Sequence, residues 1–495
     1  MLCDGYDKIA QWRVVKALRE FFSSVWFIIL TTIIMVLSNI FGLELLAFYY
    51  MLFSVLLIVL FAEDLKGVVP IIFCAYMSIS EKNNPASHVE SSAFRQPVFK
   101  LQLAFILILA SLALLARLIT KLMNGEKKSF PKLTIGFLAL GLSYMLGGLF
   151  SPYYGLRTAV FGFVEIASLA LFYFLFYYTV DWKNTDKRYM FYVLTIVGLG
   201  VFAEILGMYA RILLSDAPFS RGRLVTGWGM YNNVGCIVAI CLPAPLYLAA
   251  TQRHGWRYLL CGFVFAVALL LTQSRGSILF GGIVFLAGLV IVLVKSDKKE
   301  RKLHLILIGV LAAVAIVVSV IFFKKISELF ASLPPNFFDN NGRNPIYKSG
   351  WEQFLADPFF GVGFYECDGF RWGTLPADAF LPARYHDTYI QLLASGGIFA
   401  ICCYLLHRIE TLIVFFKRPS REKTFLFLSV AALIPTSIVD CHFFNFGPGI
   451  LYSFLLVYVE NFDAEDKKYL LSTESFTDER KQNSSGQTGS KLIHI

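Results

Sequence analysis

The sequence predicts an all-α polytopic membrane helix bundle of about twelve to fourteen transmembrane helices, with one large extracytoplasmic loop carrying short helices. Three observations carry this. Of 495 residues, 57% are hydrophobic, which with a strongly positive mean hydropathy exceeds what a soluble domain carries. The apolar residues come in long runs, and the charges collect in short stretches between them, where membrane-insertion rules place them.

A helix needs about 20 apolar residues to cross the hydrocarbon. Spans are expected near 22–42, 44–62, 67–80, 98–116, 133–150, 158–180, 189–210 and 232–250. Others are expected near 257–272, 276–294, 303–323, 388–407, 424–440 and 446–462, the third and ninth being short enough to tilt or re-enter. The first run follows Lys8, Arg13, Lys16 and Arg19 but is too long for a signal-peptide core, so it is expected to stay as a helix.

With a cytoplasmic N-terminal segment at 1–21, alternation puts Arg117–Lys132, Lys183–Arg188, Lys295–Lys302 and Arg408–Lys423 together on the cytoplasmic side. The bundle then occupies 22–462, and the polar tail 463–495 is a disordered cytoplasmic extension. The large loop, 324–387, falls on the opposite face. Its prolines, glycines, aromatics and a helix-like fragment from Tyr347 to Ala356 suit a small folded cap.

Composition also excludes several functions. The nine cysteines show no Cys-x-x-Cys and no pairing with histidine at metal-ligand spacing, so no metal site or disulfide scaffold is expected. The net charge of +10 comes mostly from inter-span loops, which argues against a nucleic-acid partner.

The cations are sorted by side. Cytoplasmic loops mix Lys and Arg, whereas the opposite face is biased to Arg: Arg157, Arg211, Arg221, Arg223, Arg275, Arg343, Arg371 and Arg384. A guanidinium fork holds phosphate at two points, which suits a phosphate-bearing lipid, while a snorkelling anchor is the plainer role for Arg157 and Arg211.

Arg223 opens a glycine-rich stretch leading to Asn232 and Asn233 at a helix start, where one of the two amides is expected to cap the helix. Arg275 lies in Thr-Gln-Ser-Arg-Gly-Ser, a polar break with no room for a conventional loop, so its charge needs an anion or a carboxylate. Arg343 opens the loop's helix-like piece, which ends in Asp-Pro-Phe-Phe-Gly-Val-Gly. His386 stands at the junction of loop and span, where it serves either as an interfacial anchor or as a base, histidine being the side chain that exchanges protons near neutral pH.

Arg-x-x-x-Gly before a span, Ser-Arg-Gly between spans, then Gly-Arg, Trp and Asp-Pro-x-x-Gly-x-Gly in the large loop, come in that order. His-Asp-x-Tyr-x-Gln and Gly-Gly follow. The set, over about residues 220–400, resembles the O-antigen ligase and Wzy-type surface-polysaccharide polymerase superfamily. The family commonly shows His-Asn where this chain has His386-Asp387.

The resemblance implies a metal-independent inverting glycosyltransferase, without cofactor, of the bacterial plasma membrane. Its donor would be a polyprenyl-diphosphate-linked oligosaccharide, and a flippase and a chain-length regulator its neighbours. Its active site would face the extracytoplasmic side.

In that frame His386 is the base, Arg223, Arg275 and Arg343 clamp the departing diphosphate, and Tyr347, Trp351 and Trp372 stack on sugars or pack the loop's own core. No Asp-x-Asp stands in the first outer loop, which favours fixed guanidinium groups over a divalent ion. Polymerase and ligase differ only in acceptor, and the motifs do not separate them. A transporter of the same lipid is the reading from another class, with Glu165, Glu204 and Arg211 as embedded charges. A structural scaffold is disfavoured, since it leaves the outer arginines unexplained.

Overall fold

The computed structural model describes residues 12–62, 65–78, 130–151, 154–182, 185–214, 224–324, 343–363, 385–444 and 446–461, with a few isolated positions between. Expected features at 1–11, in most of 98–116, at Arg223 and Trp372, and in the 463–495 tail lie outside them. So do much of the large loop and Arg221, Arg371 and Arg384.

The chain is a polytopic all-α membrane protein. In order it forms α1 (Arg13–Phe22), α2 (Val25–Phe41), α3 (Glu44–Phe61), α4 (Val68–Ala75), α5 (Thr134–Leu146), α6 (Leu156–Thr179) and α7 (Tyr189–Leu213). A two-stranded antiparallel hairpin, β1 (Val225–Thr226) and β2 (Gly229–Met230), leads into α8 (Tyr231–Cys241). Then come α9 (Pro243–Thr251), α10 (Trp256–Leu271), α11 (Arg275–Lys295), α12 (Lys298–Ile321), α13 (Asn344–Ala356), α14 (Thr388–Phe416), α15 (Arg421–Thr436), a 3-10 turn (His442–Phe444) and α16 (Phe446–Asn461).

Local chemistry sets the boundaries. Ser24 caps α2 by accepting from Phe27 N–H at 3.3 Å, and Gly42, at φ 69°, ends it. α1 is amphipathic and bends 70° away from α2, turning Val15 and Phe22 inward while Arg19 Nε donates to Phe61 O at 2.7 Å. α9 starts with Pro243 at a tolerated first-turn position, so α8 and α9 continue as one span, Tyr231–Thr251, buried throughout its apolar window. This is the axis of the bundle, and α7, α10, α11 and α15 pack around it.

Among the described residues six helices are long and apolar enough to cross a membrane, or seven with α1 and α2 counted as one bent span. The expected count of about twelve to fourteen took in the short third and ninth runs, near 67–80 and 257–272, which were expected to tilt or re-enter. The run at 67–80 is an eight-residue helix with a 3-10 turn, and those at 133–150 and 257–272 are helices of 13 and 16 residues. α12 is the opposite case. Only 6% of its apolar window is buried in protein, a surface that lipid covers and water does not.

The expected boundary at 407 is also corrected. α14 runs on to Phe416, so Arg408 lies inside a helix and not in a loop. The charge is accommodated because Tyr404, Phe443 and Tyr452 enclose it.

α14 is broken near its start, where Gly397 adopts φ 64° and ψ −160°. The Asp-Pro-Phe-Phe-Gly-Val-Gly segment inserts its backbone into this break. Val362 N–H and Gly363 N–H donate to Ala394 O and Ser395 O at 2.9 and 3.0 Å, while Ile398 N–H and Phe399 N–H donate to Pro358 O and Phe359 O at 2.8 and 3.1 Å. Gly148 N–H donates to Phe360 O at 2.7 Å, adding the end of α5 to the same knot. The break lets the short first part of α14 lie beside the second, so that the Tyr389 and Tyr404 rings, 15 positions apart in sequence, meet at 5.8 Å.

A methyl group on Gly397 would stand 2.4 Å from Phe359 C and O, in a conformation that side chains rarely adopt. Gly397→Ala should therefore cost about 3 kcal/mol or more, seen as a lower apparent Tm in detergent. Gly309→Ala on α12, with nothing within 4 Å, should leave Tm unchanged or slightly raised.

Candidate active site

Of the residues singled out in the sequence, His386, Arg343 and Tyr347 meet at one end of the bundle, with Arg275 opening a helix there, around a residue that was not. Asp440 lies in the short turn between α15 and the 3-10 turn, with its side chain 15% exposed. His386 Nδ1 sits 3.1 Å from Asp440 Oδ1, and Asn232 Nδ2 donates to Asp440 Oδ2 at 2.9 Å. Arg343 Nη2 lies 4.0 Å from Oδ2, and Arg343 Nη1 donates to the neighbouring Val439 O.

The backbone explains the convergence. Four helices begin here: α8 with Asn232 in its first turn, α11 at Arg275, α13 with Arg343 at its N-cap, and α14 just after His386. Their N–H ends carry partial positive charge, which favours a carboxylate and would equally favour a bound anion. Ser274 links two of them by donating to Asn232 Oδ1 at 3.1 Å. The Gly276 Cα faces Val439 so closely that a Cβ would sit 2.2 Å from its methyl. Arg275 thus enters the same region as Arg343 through its backbone position.

Two of the three non-glycine residues with positive φ among the described residues, His386 at 53° and Gln273 at 55°, lie in these site turns. Such conformations cost on the order of 1 kcal/mol and persist where the surroundings hold them. Tyr347 Oη approaches His386 O at 3.5 Å, and the His386 side chain is 40% exposed.

Burial alone would raise the Asp440 carboxyl, but the hydrogen bond from His386 and the charges of His442, His386 and Arg343 outweigh it and hold the group well below the usual carboxylate range. An ionised carboxylate only accepts, so the proton of the shared bond belongs on His386 Nδ1 and the basic lone pair on Nε2. His442 is fully buried, with Nδ1 3.1 Å from Asn233 Oδ1. Burial lowers its pKa, Asp440 opposes that, and the charges of Arg343 and His386 add to the lowering.

Asp387 does not serve His386. Its carboxylate caps α14, accepting from Tyr389 N–H at 2.7 Å and Ile390 N–H at 3.0 Å, and burial raises its pKa against those two bonds. Asn caps a helix as well as Asp does, so the departure from His-Asn leaves this role intact.

One expectation changes. Neither Asn232 nor Asn233 caps α8; Met230 is the N-cap, with no side-chain bond, because both amides turn to Asp440 and His442. Trp351 is 50% exposed, with its ring 5.1 Å from Phe354. Asp440 was missed. Its signal was that it is the one acidic residue between Glu422 and Glu460, two positions before a histidine, in an otherwise apolar stretch.

Elsewhere, buried Glu204 accepts from Asn39 Nδ2 at 3.3 Å, and Asn39 Oδ1 accepts from Arg211 Nη2 at 2.9 Å. The Glu165 and Arg157 side chains are not among those described. Among the described residues no group of three or more His, Cys, Asp or Glu is placed to hold a metal ion.

A histidine paired with a carboxylate, flanked by the Arg343 guanidinium and helix N-termini at one end of a membrane bundle, defines a membrane protein suited to proton transfer beside an anion. Residues 260–405, which contain Arg275, Arg343 and His386, match the family described as O-Antigen ligase. The match supports the resemblance to the O-antigen ligase and Wzy superfamily and, with it, a membrane enzyme of ligase or polymerase type. No curated protein matches the chain.

Because the Asp440 carboxyl is lowered in the folded state, it stabilises the fold above its unfolded pKa of about 3.9, and this is lost as pH falls toward the folded value. Asp440→Asn should lower apparent stability by about 3 kcal/mol at pH 7. The gap to wild type should narrow as pH drops below about 4, in thermal unfolding followed across pH. Parallel curves from pH 7 to about pH 3 would remove the charge from this account.

Proposed function

We propose that the chain is a membrane glycosyltransferase that moves a polyprenyl-diphosphate-linked oligosaccharide onto an acceptor hydroxyl, acting as a Wzy-type polymerase of surface polysaccharide. The observation that carries this is the His386–Asp440 pair beside Arg343, within a stretch bordering and overlapping the O-antigen ligase match. Polymerases are the more varied group of that superfamily, which favours the polymerase over the ligase for a divergent chain.

In the proposed reaction His386 Nε2 takes the proton of the acceptor hydroxyl as its oxygen attacks the anomeric carbon. The bond from that carbon to the diphosphate oxygen breaks, and the electron pair leaves with the diphosphate. Direct displacement inverts the anomeric centre and needs one base, not the paired carboxylates of a glycoside hydrolase. Asp440 fixes the His386 tautomer and stabilises the imidazolium, a positioning role.

Arg275 and Arg343, with Arg223, supply positive charge to the departing diphosphate in place of a metal, and the four helix N-termini add to it. Tyr347 and Trp351, with Trp372, offer ring faces to sugars; the exposure of Trp351 favours this over core packing. The site then faces the extracytoplasmic side of a bacterial plasma membrane, where the lipid-linked donor is presented. Glu204, Asn39 and Arg211 make the competing case for a lipid transporter.

Purified protein reconstituted with a polyprenyl-diphosphate oligosaccharide as sole substrate should give a ladder of products that persists in EDTA and vanishes in His386→Ala. Product only on adding a separate acceptor would identify a ligase, and no transfer with any acceptor would turn attention to transport. Arg343→Lys keeps the charge but loses the two-point fork, so kcat/KM should fall by about tenfold or more in the same assay. Wild-type turnover would reduce Arg343 to a point charge or an anchor.

A further inference from the structure

Arg408, which hydropathy puts in a loop, lies inside α14 and is enclosed by rings. Its guanidinium carbon is 4.5 Å from the Tyr404 ring centre, 4.8 Å from Phe443 and 4.9 Å from Tyr452, and Nη1 donates to Tyr452 Oη at 2.7 Å. Among the described residues Nε and Nη2 have no hydrogen-bond partner, and no ion pair joins Arg408 to a carboxylate. A charge held this way inside a bundle is stabilised chiefly by π faces, an arrangement that gains strength when desolvated.

One of those faces belongs to the turn that carries the site. Phe443 sits in the 3-10 turn beside His442, three positions after Asp440, and its ring also meets Tyr404 and Tyr452 edge-on at 5.5 and 5.6 Å. Besides the bonds that His386, Asn232, Arg343 and Asn233 make to this turn, ties from α14 hold it. Thr388 N–H donates to Ser437 O at 2.9 Å, and Cys441 Sγ lies 3.6 Å from Gln391 Oε1. Both come from the short first part of α14. The ring stack ties the turn instead to the second part of α14 and to α16.

We infer that Arg408 is a positioning residue: by stacking on Phe443 it holds the 437–444 turn so that Asp440 keeps its hydrogen bond to His386. This rests on the transferase reading for its effect on rate, but not for its effect on the turn. Arg408 Cζ is held against three ring centres at nearly equal distances, so the stack resists displacement of Phe443 toward either neighbour.

The test uses full-length protein in lipid, with Arg408→Met, Arg408→Lys, Phe443→Leu and the Arg408→Met/Phe443→Leu pair. Amide exchange across 437–444 should rise by about tenfold in Arg408→Met, stay near wild type in Arg408→Lys, and rise no further in the pair than in Phe443→Leu alone. In the transfer assay Arg408→Met should lower kcat by about tenfold while KM for the lipid donor stays within about twofold, and Lys should restore most of the loss.

Unchanged exchange in Arg408→Met, or additive effects in the pair, would overturn the inference. So would a rise in KM with kcat intact, which would make Arg408 a substrate contact. A wild type that transfers nothing sinks the transferase reading alone, and the exchange data then decide the role of Arg408.

Discussion

One largely buried carboxylate organises the polar end of this membrane bundle. A charge placed there without partners would cost several kcal/mol, and Asp440 avoids this by gathering His386, Asn232 and Arg343 within 4.0 Å or less. Each partner comes from a different helix start, so satisfying one carboxylate fixes the relative placement of α8, α13 and α14. α11 joins through the Ser274–Asn232 bond. The same contacts orient the His386 imidazole and bring positive charge to its side, so folding and chemistry draw on one set of interactions.

Much of the fold was legible because lipid imposes simple demands on sequence: apolar runs between short charged stretches mean helices that cross or line a bilayer. The number of crossings was less legible. Hydropathy weighs an eight-residue helix such as α4, a helix broken by glycine such as α14, and a full span in much the same way. It also ends an apolar run where polar and charged residues gather, as at His407, Arg408 and Glu410, which is why Arg408 was placed in a loop although three rings enclose it within α14.

The candidate site was legible in part. Arg275, Arg343 and His386 stood in recognisable local patterns, and the structure brings all three to the same end. Asp440 stood in none, because its role depends on tertiary neighbours 54 and 208 positions away. Asn232 and Asn233 were recognisable as helix-start residues, but capping is a local use of an amide and loses here to a largely buried carboxylate and a buried imidazole, which are costlier to leave unpaired. The aspartate after His386 illustrates the reverse: its local role, capping α14, is the one it performs.

The knot between the Asp-Pro-Phe-Phe-Gly-Val-Gly segment and the break in α14 is tied by peptide groups, with the Phe360 ring packed against Phe150 and Phe399 at 5.2 and 5.3 Å. The hydrogen bonding of this anchorage thereby falls to main-chain atoms, which nearly every residue type carries. Such a junction depends on residue identity chiefly where two backbones crowd, at Gly361 and Gly397, where an added Cβ would stand 2.5 and 2.4 Å from facing main-chain atoms.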